Sequence, residues 1–360
     1  MKKSGKSIYA IIAAILCAII VLGAAAGCNK TPANNDPGTG ENTEAPVDAA
    51  TEEPEVPKYK VLAHWKLQNQ EGYYTGSVDD DTIGFKDLSG NGNDLIAKVA
   101  GNGDQLDIFS WDNDVDSAAF KFGSGLKFNN TKALAATVDP YKASETSYTG
   151  GYTSGKYLET VKGAPINSST FDGGFSIEVI FKLSKDLDNE YNRYTGMFSR
   201  QGVIEDQNEP PFSIAISEWN NDTATGTINE NETWLQLLIV NDYTKLNHEM
   251  DEILVAADTW HHVLITLDDL GKVLVYLDGE KLFDTWSGFE GIFCTDPDFS
   301  WEVGVGRKFG GDHETDSKNE NSPEGMIRRL FAGSIAEIRI TDKPIEVADS
   351  LFASEFIKEK

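Results

Sequence analysis

Cysteine is almost missing. Three stand in 360 residues, and two of them, Cys17 and Cys28, fall in the first 28. Cys294 is left alone, so no internal disulfide can staple the main body, and its core has to stabilise it. In the apolar stretch GIFC, Cys294 reads as a buried, inert thiol rather than a nucleophile. Histidine is scarce too, at five. His261 and His262 are adjacent, and neighbours on a strand point to opposite faces. They are therefore not expected to share a zinc ion; one packed and one exposed ring is expected. Basic residues are outnumbered, with 31 Lys and Arg against 58 Asp and Glu and a net charge of -27. Nucleic-acid phosphates repel such a chain, so no nucleic-acid partner is expected. Neither a Gly-x-Ser-x-Gly turn nor a phosphate-binding glycine loop occurs. Helical periodicity is rare.

What is there begins with a leader. Lys2, Lys3 and Lys6 precede IYAIIAAILCAIIVLGAAAG, which runs without a charge to Cys28. A basic n-region, an apolar h-region and small residues read as a secretory signal, although the run is close to the length of a membrane span. The ending AAGC, Ala25 to Cys28, resembles the lipobox of bacterial lipoproteins, with Ala25 where leucine is usual. That resemblance implies a signal peptide over 1–27 and lipidation at Cys28. The protein would be extracytoplasmic and held to the cell membrane by an N-terminal lipid only, each buried methylene contributing about 0.8 kcal/mol. Residues 28–58 are rich in Pro, Gly, Thr, Asn and Glu and carry no aromatic ring. Such a stretch buries too little apolar surface to offset its ordering entropy, so a disordered tether is expected.

From Tyr59 the texture changes. VLAHWKL (61–67), PFSIAIS (211–217), TWLQLLIV (233–240) and SIAEIRIT (334–341) read as strands. In GGFSIEVIFKLS (173–184), Phe175, Ile177, Val179 and Phe181 alternate with Ser176, Glu178, Ile180 and Lys182. Residues 260–283 read as three strands, with Asp278-Gly279 as a two-residue hairpin signal. IEVADSLFASEFIKEK at the C-terminus could form a helix. Many short strands separated by turns predict an all-β, antiparallel two-sheet sandwich over 59–360, with insertions near 129–170 and 309–326.

These strands, in this order, resemble the laminin-G-like jelly rolls of the concanavalin A-like lectin/glucanase superfamily. AHWKL with KDLSGNGNDL resembles the opening strand and glycine-rich turn, and GGFSIEVIFKLS an inner-sheet strand. GMFSRQG (196–202) resembles the strand that follows. TWHHVLITLDDLGKVLVYLDGEKL resembles the Trp-x-His-Val strand with its hairpin, and FAGSIAEIRIT the closing strand. The resemblance covers about 280 residues and implies a jelly-roll fold. Fold does not fix function.

Glycoside hydrolysis needs two carboxylates about 5 to 9.5 Å apart, and the superfamily's glucanases present theirs on one strand. No strand here shows that spacing. FSIEVIF carries Glu178 alone. Glu337 and Asp342 are five apart and fall on opposite faces, and Asp79, Asp80 and Asp81 lie on a loop. A non-enzyme is expected, with a hydrolase of dispersed carboxylates left as an alternative. Calcium takes six to eight oxygen ligands. DLSGNGNDL (87–95) offers Asp87, Asn91, Asn93 and Asp94, with Gly90 and Gly92 to turn carbonyls inward. The same residues also suit an Asx-type turn in which Asp87 bonds local amides. The resemblance implies a structural calcium held by Asp87, Asn91 and Glu337. WDNDVDS (111–117) has EF-hand spacing at Asp112, Asp114 and Asp116, but Ser117 replaces the required glycine, so a solvated acidic turn is expected.

Aromatic supply does not limit a sugar site, with 7 Trp and 12 Tyr. Trp65, Trp234 and Trp260 lie in strand patterns and read as packing. Trp219 in SEWNND leads into a polar loop. Tyr148 and Tyr152 sit among Ser, Thr and Gly, a composition that suits binding loops. The function expected is non-catalytic recognition of extracellular or cell-wall glycan. A cell-surface protein partner is the alternative.

Overall fold

The computed structural model describes residues 58–80, 82–138, 154–187, 195–202, 211–222, 227–239, 248–286, 299–307 and 328–357. Side chains are described within these except at 217–222, 227–234, 248–252, 286, 307 and 328–329. The leader, Cys28, Tyr148, Tyr152, Cys294 and the insertion at 309–326 lie outside the described residues. Val56–Lys360 forms one compact unit.

That unit is an all-β sandwich of two antiparallel sheets. The first sheet runs β15 (Glu280–Trp286), β14 (Lys272–Leu277), β13 (Trp260–Leu267), β8 (Phe175–Leu183), β19 (Ala332–Thr341), β6 (Gly125–Asn129), β5 (Phe109–Asp112). β1 (Val61–Lys66) also pairs with β19. The second runs β12 (His248–Ala256), β11 (Thr227–Ile239), β10 (Phe212–Asp222), β9 (Thr195–Arg200), β16 (Trp301–Val303), β7 (Gly155–Thr160), β4 (Leu95–Ala100), β3 (Gly84–Phe85), β2 (Tyr74–Thr75). A separate ribbon pairs β17 (Val305–Arg307) with β18 (Arg328–Leu330). Helix is limited to short pieces, α1 (Lys132–Ala135) and α2 (Leu351–Glu355) among them.

Alternation along the strands explains the layering. Phe175, Ile177, Val179 and Phe181 of β8 point inward, as do Val263, Ile265 and Leu267 of β13. Met197, Phe198, Ile214, Leu237, Trp301 and Val303 of the second sheet join them in one buried cluster. Each such side chain contributes roughly 1.5–3 kcal/mol by leaving water. Trp301 stacks on Phe198 at 5.1 Å between centroids. The hairpin between β14 and β15 turns at Asp278 (φ 51°) and Gly279 (φ 79°). Positive φ at both positions is what the Asp-Gly pair predicts.

The structure corrects or extends the sequence reading in several places. The segment assigned to an insertion near 129–170 supplies β7, which pairs with both β4 and β16 inside the second sheet. GKYLET lacks an aliphatic alternation because both of its faces are covered, and all six residues are buried. The outer face of β8 is also covered: Ser176, Glu178 and Ile180 are buried. The cover is the C-terminal segment, where Leu351 packs with Phe122, Ile180, Trp260 and Ala336. The helix expected there is only five residues long, because it is laid on the sheet rather than built from helical periodicity. His261 and His262 both prove buried, at 8% and 1% exposure. One caps the edge of the inner face beside Phe181, and the other lies under the C-terminal segment near Phe352.

Candidate functional site

The turn after β3 is saturated with hydrogen bonds. Asp87 Oδ1 accepts from the His64 amide (3.0 Å), the Ser89 amide (3.0 Å) and Ser89 Oγ (2.6 Å). Its Oδ2 accepts from the Asn93 amide (3.0 Å) and Asn93 Nδ2 (3.1 Å). Asn91 Nδ2 donates to the carbonyls of Val61 and Leu62. Gly90 (φ 81°) and Gly92 (φ 82°) let the chain fold back over these groups. This is an Asx-type turn that ties β1 to the second sheet. Glu337 sits elsewhere. Its Oε1 lies 2.6 Å from His64 Nε2, and Gln68 and Lys66 approach its Oε2 at 3.4 and 3.6 Å. Burial acts to lower the Lys66 pKa, but Glu337, Glu355 and Tyr73 outweigh it and hold that pKa above the ordinary lysine value. Asp87 and Glu337 thus both contact His64, one through its backbone and the other through its ring. Of the three residues the resemblance assigned to calcium, Asp87 is held by amide and hydroxyl donors, Asn91 by two carbonyls and Glu337 by His64, Gln68 and Lys66. Among the described residues no group of three or more His, Cys, Asp or Glu could hold a metal ion.

The carboxylates of the first sheet are likewise engaged internally. Glu178 Oε1 accepts from Leu351 N (2.7 Å) and lies 3.0 Å from His262 Nε2; Oε2 meets Arg339 Nε at 2.7 Å. Asp112, expected in a solvated turn, is buried against Lys182 (2.8 Å) and Ser334 (2.6 Å). Asp114 of the same stretch is fully exposed. The difference follows from position: Asp112 ends β5 on the covered outer face, and Asp114 has left the strand.

The second sheet contains a carboxylate pair that a search along single strands could not find. Glu159 of β7 and Glu302 of β16 are directly opposite in register. Side chains paired this way project to the same face as near neighbours. Glu159 is 3.1 Å from Lys98, and Glu302 accepts from Ser300 Oγ at 2.9 Å. Both are buried, at 8% and 0% exposure. On the same face Ser199 donates to the Val305 carbonyl of β17, and Tyr157 packs with Val305 and Leu330. The ribbon β17–β18 therefore lies on this face, where Glu302 is fully buried and Glu159 nearly so.

Aromatic rings reach the surface at one end of the sandwich. Trp111 on β5 and Tyr74 on β2 belong to the terminal strands of their sheets. Their rings stand 5.1 Å apart at 52°, and both contact the buried ring of Phe85. Tyr73, Tyr74 and Trp111 are each partly exposed. Tyr74 donates from its hydroxyl to Asn69 Oδ1 at 3.2 Å, and Lys66 lies over the Tyr73 ring. Tyr73 and Tyr74 did not stand out in the sequence, and Trp111 was passed over because the WDNDVDS stretch it opens drew notice only for its acids. Trp219 lies within β10 opposite Thr233 rather than beyond the strand; its side chain is outside the described residues. Trp65 and Trp260 are packed, as their strand positions predict.

No family model matches the chain, and no curated protein does. Solved structures do resemble it. One is domain 4 of AbnA, a GH43 extracellular arabinanase from Geobacillus stearothermophilus, in complex with arabinotriose. It is 15% identical with a TM-score of 0.40 over 81% of this chain and 96% of that one. Another is the binding domain of Paraclostridial Mosquitocidal Protein 1, 13% identical with a TM-score of 0.43 over 82% and 52%. A third is Trypanosoma rangeli sialidase in complex with sialic acid, 11% identical with a TM-score of 0.41 over 82% and 33%. This chain spans about half of the toxin domain and a third of the sialidase. A likeness at these identities and TM-scores carries no function across.

Proposed function

We propose that this protein is a lipid-anchored, non-catalytic module that recognises extracellular or cell-wall glycan. The observation that carries the reading is the group of partly exposed rings Tyr73, Tyr74 and Trp111 at one end of a sandwich that buries Trp65, Trp260 and Trp301. Aromatic faces offer rigid contact area, and binding sites join them to a few well-placed polar groups. The carboxylates that could serve hydrolysis, Glu159, Glu178, Glu302 and Glu337, are buried within protein contacts. The lipobox-like AAGC and the tether support display outside the cell.

Calorimetry of the full chain against a polysaccharide panel, with and without chelator, tests the reading beside pull-downs of surface proteins. Saturable binding of a glycan without product release is expected. The structural calcium expected at the Asp87 turn is part of the proposal: weaker binding or a lower melting temperature in chelator supports the ion, and no difference on chelation rejects it. Failure of every glycan to bind rejects the proposal. Turnover abolished by Glu159→Gln or Glu302→Gln would make the protein a hydrolase.

A further inference from the structure

We infer that the glycan contact, resting on the reading above, is made by Trp111, Tyr74 and Asn69, and that the ligand is an uncharged polysaccharide. The argument starts from the indole N–H, a donor that finds an acceptor when buried in protein. Four tryptophans have described side chains. Trp65 donates to Asn93 O at 2.7 Å, Trp260 to Asp114 O at 3.2 Å and Trp301 to Ile166 O at 3.3 Å. Trp111 is partly exposed, and its N–H has no acceptor among the described residues. Its ring packs on the core at one side; the donor is left for something outside the fold.

The neighbouring groups add a second ring and a second donor. Tyr74 is tilted 52° to Trp111 over the buried Phe85. Its hydroxyl holds Asn69 through Oδ1, which leaves the exposed amide N–H groups of Asn69 without an acceptor among the described residues. Two neutral donors therefore accompany two partly exposed aromatic rings. A pyranose or furanose ring matches that chemistry, with C–H groups on its faces and hydroxyl acceptors at its edge. A charged sugar does not. The lysine beside the patch, Lys66, is held by Glu337 and Glu355 at 3.6 and 3.5 Å. Exposed Glu71, Asp79 and Asp80 stand on the flanking loops, and the net charge of -27 repels polyanions.

The experiment is calorimetry of the full chain with neutral glucan, xylan, arabinan and galactan, and with polygalacturonate and a sulfated glycan. Trp111→Phe, Tyr74→Phe and Asn69→Ala are measured beside the wild type. These changes keep the packed rings, and thermal melts verify folding. Expected is binding of a neutral glycan that is insensitive to NaCl. A loss of about tenfold is expected in Trp111→Phe and in Asn69→Ala, the worth of one hydrogen bond of about 1.4 kcal/mol. Tyr74→Phe should weaken binding by releasing Asn69. Wild-type binding that all three variants retain would move the site elsewhere and leave the glycan reading standing. Preference for the polyanions would overturn the uncharged ligand. No binding by the wild type would end both.

Discussion

Glu178 shows how one side chain can hold a distant segment in place. It is buried on β8 and accepts from groups on β13, β19 and the C-terminal segment. Burial acts to raise its pKa, but His262, Arg339 and the Leu351 amide outweigh that and hold it below the ordinary glutamate value. A depressed folded pKa stabilises fully above the unfolded value of about 4.3 and loses that contribution as pH falls through the folded value. Glu178→Gln should therefore destabilise at neutral pH by about 3–5 kcal/mol, since it leaves Arg339 uncompensated. Urea unfolding of both proteins at neutral pH and below the unfolded pKa checks this. The gap should narrow in acid, and a gap independent of pH would show that the carboxylate charge is not what matters. The sequence identified Glu178 as the lone acid on an alternating strand. Its partners were not legible, because three separate elements bring them.

At the scale of elements, the β14–β15 hairpin and the C-terminal helix depend on each other. Asp278 accepts from the His262 amide at 2.7 Å and lies 2.7 Å from His261 Nδ1. Gly279 has a φ of 79°, and a Cβ there would come 2.5 Å from the Phe352 ring. Gly279→Ala should cost about 1–3 kcal/mol through positive φ alone, and more if Phe352 cannot shift. It should also make the segment after Ile345 more sensitive to limited proteolysis. Unchanged cleavage there would show that turn and helix are independent. The hairpin was readable because its signal is two adjacent residues. The short helix was not: its position is set by Glu178 and by the Phe122 and Trp260 surface it covers. Strands β1, β8, β13 and β19 were readable by apolar alternation, while β7 was missed because burial on both faces erased that alternation.

For the whole molecule, charge and core act against each other. A single apolar cluster spans both sheets, whereas a net charge of -27 repels itself. The pairs Lys272–Asp284 and Lys281–Asp284 on the edge hairpin are exposed, and solvent screening leaves such pairs little to contribute. Screening should therefore relieve more repulsion than attraction. Calorimetric melting should shift upward by a few degrees between about 0.05 and 0.5 M NaCl, since each kcal/mol moves a domain of more than about 150 residues by roughly 2–4 °C or less. A downward shift would mean that the ion pairs outweigh the excess of acids.

The residues in order determined an all-β sandwich, its hairpin and the placement of its inward faces, because alternation and turn dipeptides are carried by neighbours in the chain. The tertiary structure alone decided which polar groups meet. It set Glu159 opposite Glu302, surrounded Asp87 with amide and hydroxyl donors, and left the Trp111 N–H without an acceptor among the described residues. Those outcomes follow from strand order and register between distant segments, which no local pattern encodes.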